Sequence, residues 1–191
     1  MPRLTTTSAL RASFVSIDFP EKRNRWTTLF RAILAIPLLF YSVFYGIAAM
    51  IAVIMAWFAL VITARYPDDL YGFVSGYVRF YIRIGAYILL LVDAYPPFNG
   101  DEAPDYPVQV SIPERQEKYS RLKAFFRFIY ILPAVILTYV LMIVLVILDV
   151  LAWICAVMFA RVPAFIEKYM RFAWGWVLKV QGLYCLLIEN Y

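Results

Sequence analysis

Asp149 is the first candidate for chemistry, because it is an acid inside a long run that is otherwise uncharged. An ionisable group at membrane depth is a candidate proton or ion site. The alternative is an ion pair or hydrogen bond that fixes helix packing, with Arg79, Arg83 or Lys179 as partner. The corresponding position in an earlier, similar run is Val53. Since a transport site between repeats usually uses both halves, the structural pair is favoured.

A second candidate is a stripe of small and basic residues at helical spacing, where positions three or four apart share a face. Arginine suits phosphate, so the stripe could hold lipid phosphates. Small residues also let helices pack closely, and packing within the protein or against a partner is the favoured interpretation. The stripe consists of Gly72, Ser75, Gly76, Arg79 and Arg83.

Basic residues also flank the apolar runs, where side chains commonly meet lipid headgroups. The net charge of +5 is therefore explained by a membrane surface, and nucleic acid is not expected as a partner. The residues expected at the headgroups or interface are Arg25, Arg31, Arg65, Arg121, Arg127, Arg161 and Arg171.

The residues that metal binding, cofactor binding or catalysis would need are missing from the sequence. The chain has no His, which removes the commonest base and metal ligand at neutral pH. Cys155 and Cys185 lie in apolar segments and are expected to be small buried hydrophobes. The acidic segment 93–105 lacks the regular oxygen-ligand spacing of calcium loops, and its prolines predict an extended linker. There is no phosphate-binding loop or nucleophile elbow, so we expect no cofactor, no metal and no enzymatic activity.

The elements that position these residues are two long apolar runs, 37–64 and 133–160. Hydrophobic residues make up 64% of the chain, and both runs exceed the length needed to cross a bilayer. The sequence therefore predicts an all-α integral membrane protein.

The runs belong to two copies of one unit. Pairs of identical residues recur 96 positions apart, among them Arg31 with Arg127 and Trp57 with Trp153. Each copy should contain a strand-like segment, a long transmembrane helix and an amphipathic second helix striped with Arg or Lys. Repeat 1 (1–100) has its strand at 14–20 and helices at 24–64 and 68–93; a linker covers 101–106. Repeat 2 (107–191) has its strand at 107–113 and helices at 120–160 and 164–189.

The second helix of each copy allows two arrangements. If it spans, the protein is a four-helix bundle, the two strand-like segments lie on one side where they could pair, and charge bias makes both termini cytoplasmic. If it lies in the interface, the protein has only two crossings, and Arg79 and Arg83 avoid the bilayer centre. The sequence leaves both arrangements open.

Several motifs together resemble a known family. They are the VSIDFPE and VQVSIPE segments, Arg followed six positions later by Pro, the Ala-Trp pairs, the RYP turn and LLLVDAYPPF. This pattern is similar to a domain of unknown function, family 4389, of bacterial and archaeal membrane proteins that often carry it in tandem. The resemblance implies the bacterial cytoplasmic membrane as the location, and it implies no activity.

The function expected from these observations is that of a non-enzymatic, multi-pass accessory or structural subunit. Its partners would be membrane lipids and a larger membrane complex or further copies of itself. The alternative is a small transporter or lipid-handling protein that uses Asp149 and the arginines of the second helix.

Overall fold

The computed structural model describes residues 15–17, 25–159 and 161–187. Three parts of the predicted elements lie outside the described residues. They are position 160, the flanks of the first predicted strand and the end of the last predicted helix. The prediction of a mostly helical chain is confirmed. In chain order the elements are β1 (Val15–Ile17), α1 (Arg25–Leu29), α2 (Arg31–Thr63), α3 (Asp68–Ile88), β2 (Val108–Val110), α4 (Arg121–Phe159) and α5 (Ala164–Tyr184).

Helices α2 and α4 are the two long apolar elements. They contain 33 and 39 residues, which corresponds to about 50 and 58 Å at about 1.5 Å per residue. Arg31–Thr63 and Ile131–Phe159 are long and apolar enough to cross a membrane. In the most apolar stretch of 18 residues, only 28% of the first helix and 17% of the second is buried, so neither resembles the core helix of a soluble domain.

Two tryptophans show that α2 and α4 run antiparallel. The Trp57 indole N–H donates to the carbonyl of Ala124 at 2.9 Å, and the Trp153 indole N–H donates to the carbonyl of Thr28 at 3.0 Å. Each bond joins the C-terminal part of one long helix to residues at or just before the N-terminus of the other. The donors, and also the acceptors, are 96 positions apart.

The shorter helices fold back along the longer ones and form a second layer. Helix α3 returns along α2, with the ring centroids of Tyr41 and Phe80 5.2 Å apart, and α5 returns along α4. Helices α3 and α5 touch where Trp174 packs on Gly85. A Cβ at Gly85 would lie 2.0 Å from the Trp174 ring, so only glycine permits this approach.

Left-handed residues end three of these helices. Ala64 caps α2 with φ 56°, and Leu90 and Leu186 follow α3 and α5 with φ 55° and 63°. Helix α3 therefore ends at Ile88, before the predicted position 93, and α5 ends at Tyr184. The first long helix also differs from its prediction, because a turn at Phe30 separates α1 from α2.

The two short strands pair antiparallel, with Val15 opposite Val110 and Ile17 opposite Val108. Strand β2 contacts α3, so this small sheet lies on the layer formed by the shorter helices. Strand pairing was one of the possibilities that the sequence raised.

Candidate functional site

Residues 94–106, which we call the covering loop, fold onto α3. The Phe98 ring packs edge-on against Tyr41 with centroids 5.8 Å apart, and the Tyr106 hydroxyl donates to the carbonyl of Ala94 at 2.9 Å. At the middle of the loop, Gly100 lies directly on Gly76 of α3. A Cβ at Gly100 would lie 2.4 Å from Gly76 backbone atoms. The expected extended linker is therefore a compact cover, because two glycines permit backbone contact.

Beneath the covering loop lies a cationic cluster formed by Ser75, Arg79 and Arg83 on one face of α3. Arg79 pairs with Glu102 of the loop at 3.0 Å, while Arg83 is 1% exposed and lies 5.8 Å from the Tyr106 ring centroid. Four buried polar atoms of this cluster have no hydrogen-bond partner: Nε and Nη1 of Arg83, Nε of Arg79 and Oγ of Ser75.

Burial is also the main influence on the charge of Arg83. It lowers the pKa of the Arg83 guanidinium, and the like charge of Arg79 lowers it further. Arginine nevertheless stays protonated in proteins, so the cluster keeps its positive charge. The stripe predicted from sequence is thus brought together, and its basic end is enclosed by the loop.

Arg31 was predicted to contact lipid headgroups, but the structure buries it. Its guanidinium donates to the carbonyls of Tyr87 and Val92 at 2.6 and 3.2 Å, and it pairs with Asp93 at 2.6 Å. The last carbonyls of a helix have no partners within that helix and attract cations. Arg31 therefore binds the C-terminal end of α3.

Arg127 is the equivalent residue on α4 and is buried as well. It donates to the carbonyl of Leu183 at 3.4 Å, near the C-terminal end of α5. For both arginines the physical reason is the same, since the acceptors lie inside the protein.

Asp149 lies apart from the cationic cluster. The charged group that acts on it most strongly is Arg31, and its buried Oδ1 atom has no hydrogen-bond partner. The sequence interpretation paired Asp149 with Arg79, Arg83 or Lys179. Instead, Arg79 pairs with Glu102, and Lys179 is exposed on α5. The antiparallel arrangement of α2 and α4 explains this, because it brings Asp149 to the N-terminal end of α2.

The remaining predicted interface cations are mostly at the surface. Arg65, Arg121 and Arg161 are exposed, and Arg171 is half-buried and pairs with Glu167 at 3.3 Å. The side chain of Arg25 lies outside the described residues. Among the described residues, no group of three or more His, Cys, Asp or Glu side chains could hold a metal ion.

A buried tyrosine connects the two halves of the chain. Tyr66 is 1% exposed, and its hydroxyl donates to the carbonyl of Cys185 at 3.3 Å, just after α5. Burial raises the pKa of Tyr66 above its ordinary value of 10.0. Tyr66 belongs to the turn between α2 and α3, which also receives hydrogen bonds from Arg115 and Tyr119.

With this geometry established, the chain can be compared with known proteins. Residues 25–99 match the family model described as Domain of unknown function (DUF4389). This part of the chain is therefore similar to that family of domains. No curated protein and no solved structure matches the chain.

The matched segment contains the whole cationic cluster and part of its surroundings. Arg31, Ser75, Arg79 and Arg83 all lie within it, as does the RYP turn with Tyr66. Asp149 lies outside the matched residues, and so do the Glu102 and Tyr106 contacts of the covering loop. The matched segment therefore supplies the cations, and the segment that follows it supplies the carboxylate of Glu102 and the ring of Tyr106 that lie over them.

Sequence reasoning did not identify Gly100, Glu102 and Tyr106 as residues of the site. The signal that the sequence offered was that an acidic segment containing glycine follows a helix striped with glycine and arginine, so the two segments are complementary in charge. Chemically, the site offers several N–H donors and positive charge in a buried place. Such an arrangement can bind an anion.

Proposed function

We propose that this protein is a membrane-embedded, non-enzymatic accessory subunit that packs against a larger membrane protein or a second copy of itself. The observation that carries the proposal is the exposed apolar surface of α2 and α4. Phe40 and Ile62 on α2, and Ile129 and Tyr139 on α4, are each more than two-thirds exposed. A surface this apolar over about 50 Å of helix is typical of contact with lipid.

Contacts that recur at equivalent positions support the proposal that the chain is two copies of one unit. Trp57 and Trp153 make matching bonds, Arg31 and Arg127 bind matching carbonyls, and Leu90 and Leu186 have matching backbone angles. Each member of a pair lies 96 positions from the other. Two units packed antiparallel in this way have approximate twofold symmetry.

The covering loop favours one membrane arrangement. If α2 crossed the bilayer with α3 beside it, the chain from Val92 to Arg115 would lie at the same depth. The carbonyl of Val92 accepts a hydrogen bond from Arg31 near the C-terminal end of α3, and Arg115 pairs with Asp68 at the N-terminal end. This segment therefore follows α3 along its whole length. It carries Asp101, Glu102 and Asp105, which are exposed. Exposed acids and irregular backbone are not stable in hydrocarbon.

We therefore propose that α2 and α4 lie in the plane of one leaflet, with their apolar surface toward the lipid tails. The layer of α3, α5, the covering loop and the β1–β2 pair would then face water. The approximate twofold axis would follow the membrane normal. The bacterial cytoplasmic membrane implied by the family resemblance is the proposed location. A multi-pass bundle, with both helices of each unit spanning, is the competing arrangement.

The proposed partner surface is a row of aromatic residues on α5: Phe165, Tyr169 and Phe172, each about 60% exposed. They lie four and three positions apart and so share one face. The corresponding row on α3 contains Gly76, which is covered by Gly100 of the covering loop. A partner protein would thus lie on α5 where the covering loop lies on α3.

The test is the size of the particle purified in mild detergent, measured by light scattering with correction for detergent. The protein should form an oligomer or retain a partner in fixed ratio, and Phe172→Glu should release it. Arg65→Gln alters an exposed residue in the turn between α2 and α3, outside α5, and should have no effect. A particle that is monomeric and free of partners would overturn the proposal.

The transporter alternative loses much of its basis. It required Asp149 and the arginines of the second helix at one site, whereas Asp149 lies near Arg31 and Arg79 lies beneath the covering loop. Uptake into proteoliposomes that is lost in Asp149→Asn would restore it.

A further inference from the structure

We propose that Ser75, Arg79 and Arg83 form a binding site for a phosphate-type oxyanion beneath the covering loop. The site is independent of the proposed accessory role, because it lies in the α3 layer and needs neither the α5 aromatic row nor the lipid-facing surface.

Arg83 is the strongest evidence for a ligand. It is 1% exposed, yet Nε and Nη1 have no hydrogen-bond partner. A buried charge without a partner is strongly unfavourable, so proteins pair such groups with an opposite charge. The Tyr106 ring lies at 5.8 Å, near the outer limit for a cation–π contact, and a ring face does not satisfy an N–H donor edge.

The neighbouring groups extend the same donor surface. Arg79 lies one helical turn before Arg83, and Ser75 lies one turn before Arg79. The Nε atom of Arg79 and the hydroxyl of Ser75 are buried and also lack partners. Two guanidinium groups and a hydroxyl match a tetrahedral oxyanion, whose oxygens accept several hydrogen bonds.

The carboxylate of Glu102 is an anion that already binds one of the two arginines of the site. It pairs with Nη2 of Arg79 at 3.0 Å, while the Glu102 side chain is 81% exposed. A carboxylate exposed to this degree is held weakly. We infer that Glu102 occupies Arg79 when no ligand is bound and that a phosphate group replaces it, while Arg83 binds the phosphate from inside the loop.

The described residues of the second half form no equivalent site, and this half therefore provides a control. The positions that correspond to Arg83, Arg79 and Ser75 hold Lys179, Gly175 and Arg171. Lys179 is exposed, and Arg171 pairs with Glu167. In the part of the chain that the structure describes, the proposed site is therefore specific to the first half.

The experiment measures binding to the full chain by calorimetry. One arm titrates inorganic phosphate into protein in an uncharged detergent. The other compares binding to vesicles of phosphatidylcholine with and without phosphatidylglycerol. Arg83→Gln should weaken binding about tenfold or more, because charged hydrogen bonds are lost. Arg83→Lys should weaken it less. Glu102→Gln removes the competing carboxylate and should strengthen binding several-fold, and Lys179→Gln should change nothing.

The two arms identify the source of the anion. Binding of phosphate in detergent, with the same dependence on Arg83 and Glu102, indicates a free phosphate compound. Binding only to vesicles that contain phosphatidylglycerol, with that dependence, indicates a lipid headgroup. The proposal is overturned if neither probe binds, or if binding is the same in Arg83→Gln and Lys179→Gln. Since Glu102→Gln alters an exposed side chain, it tests the site even if Arg83 variants fold poorly.

Discussion

Trp57 donates its indole N–H to the carbonyl of Ala124 across the α2–α4 interface, and Trp153 repeats this bond with Thr28. Trp57→Phe and Trp153→Phe should each lower the free energy of unfolding by about 1 kcal/mol, because each removes one hydrogen bond between the two long helices. Denaturant titration in detergent micelles measures this change. Trp176 has a buried indole nitrogen without a partner, so Trp176→Phe should be neutral or stabilising. A loss in only one of the first two variants would contradict the equivalence of the halves.

Gly100→Ala should detach the covering loop from α3. The added Cβ would lie 2.4 Å from the Gly76 backbone, which cannot move aside as a flexible side chain can. We expect faster proteolysis within residues 94–106 and a loss of stability of about 1–3 kcal/mol. Gly72→Ala is the matched control, because nothing lies within 4 Å of its Cβ position and alanine favours a helix by up to about 1 kcal/mol. Equal proteolysis of both variants would show that the loop is not held there.

Tyr66 predicts an alkaline limit to stability. Its folded-state pKa lies above the unfolded value of 10.0, so its contribution is complete below pH 10.0 and is lost as the pH rises toward the folded pKa. In Tyr66→Phe the free energy of unfolding should fall less steeply with pH above 10.0, although about 1 kcal/mol of stability is lost at neutral pH with the hydrogen bond to Cys185. An unchanged slope in Tyr66→Phe would refute this assignment.

Arg31 and Asp149 should differ sharply in their importance for stability. Arg31→Gln removes the donor to Tyr87 and Val92 and the ion pair with Asp93, at a cost of roughly 3 kcal/mol. Asp149→Asn keeps the shape of the side chain, and the buried Oδ1 atom of Asp149 has no hydrogen bond to lose, so the change should cost less than about 1 kcal/mol. Thermal unfolding of the two variants provides the comparison, and a larger effect of Asp149→Asn would reverse the assignment.

The elements were accessible from the sequence, whereas the contacts that build the site were not. Long uncharged runs indicate α2 and α4 because length and composition are local properties. Leu90 gave no sign of its left-handed backbone, since glycine is the usual residue there. The position of the covering loop depends on the contact between Gly100 and Gly76. No periodic pattern in the sequence indicates that these two residues are neighbours in space. The sequence grouped Asp149 with Arg79, Arg83 or Lys179, whereas Arg31 is the charged group that acts on it in the structure, because the antiparallel packing of α2 and α4 is a tertiary property.

Sidedness of labelling at two exposed residues tests the in-plane arrangement most directly. Asp69→Cys and Ala94→Cys, at the two ends of α3, would be made separately, with Cys155 and Cys185 replaced by Ala, and treated in sealed vesicles with a membrane-impermeant maleimide. Ile51→Cys on the lipid-facing surface serves as the control and should stay unlabelled. The account predicts that positions 69 and 94 are labelled from the same side of the membrane. Labelling of the two positions from opposite sides would contradict it and establish α3 as a membrane-spanning helix.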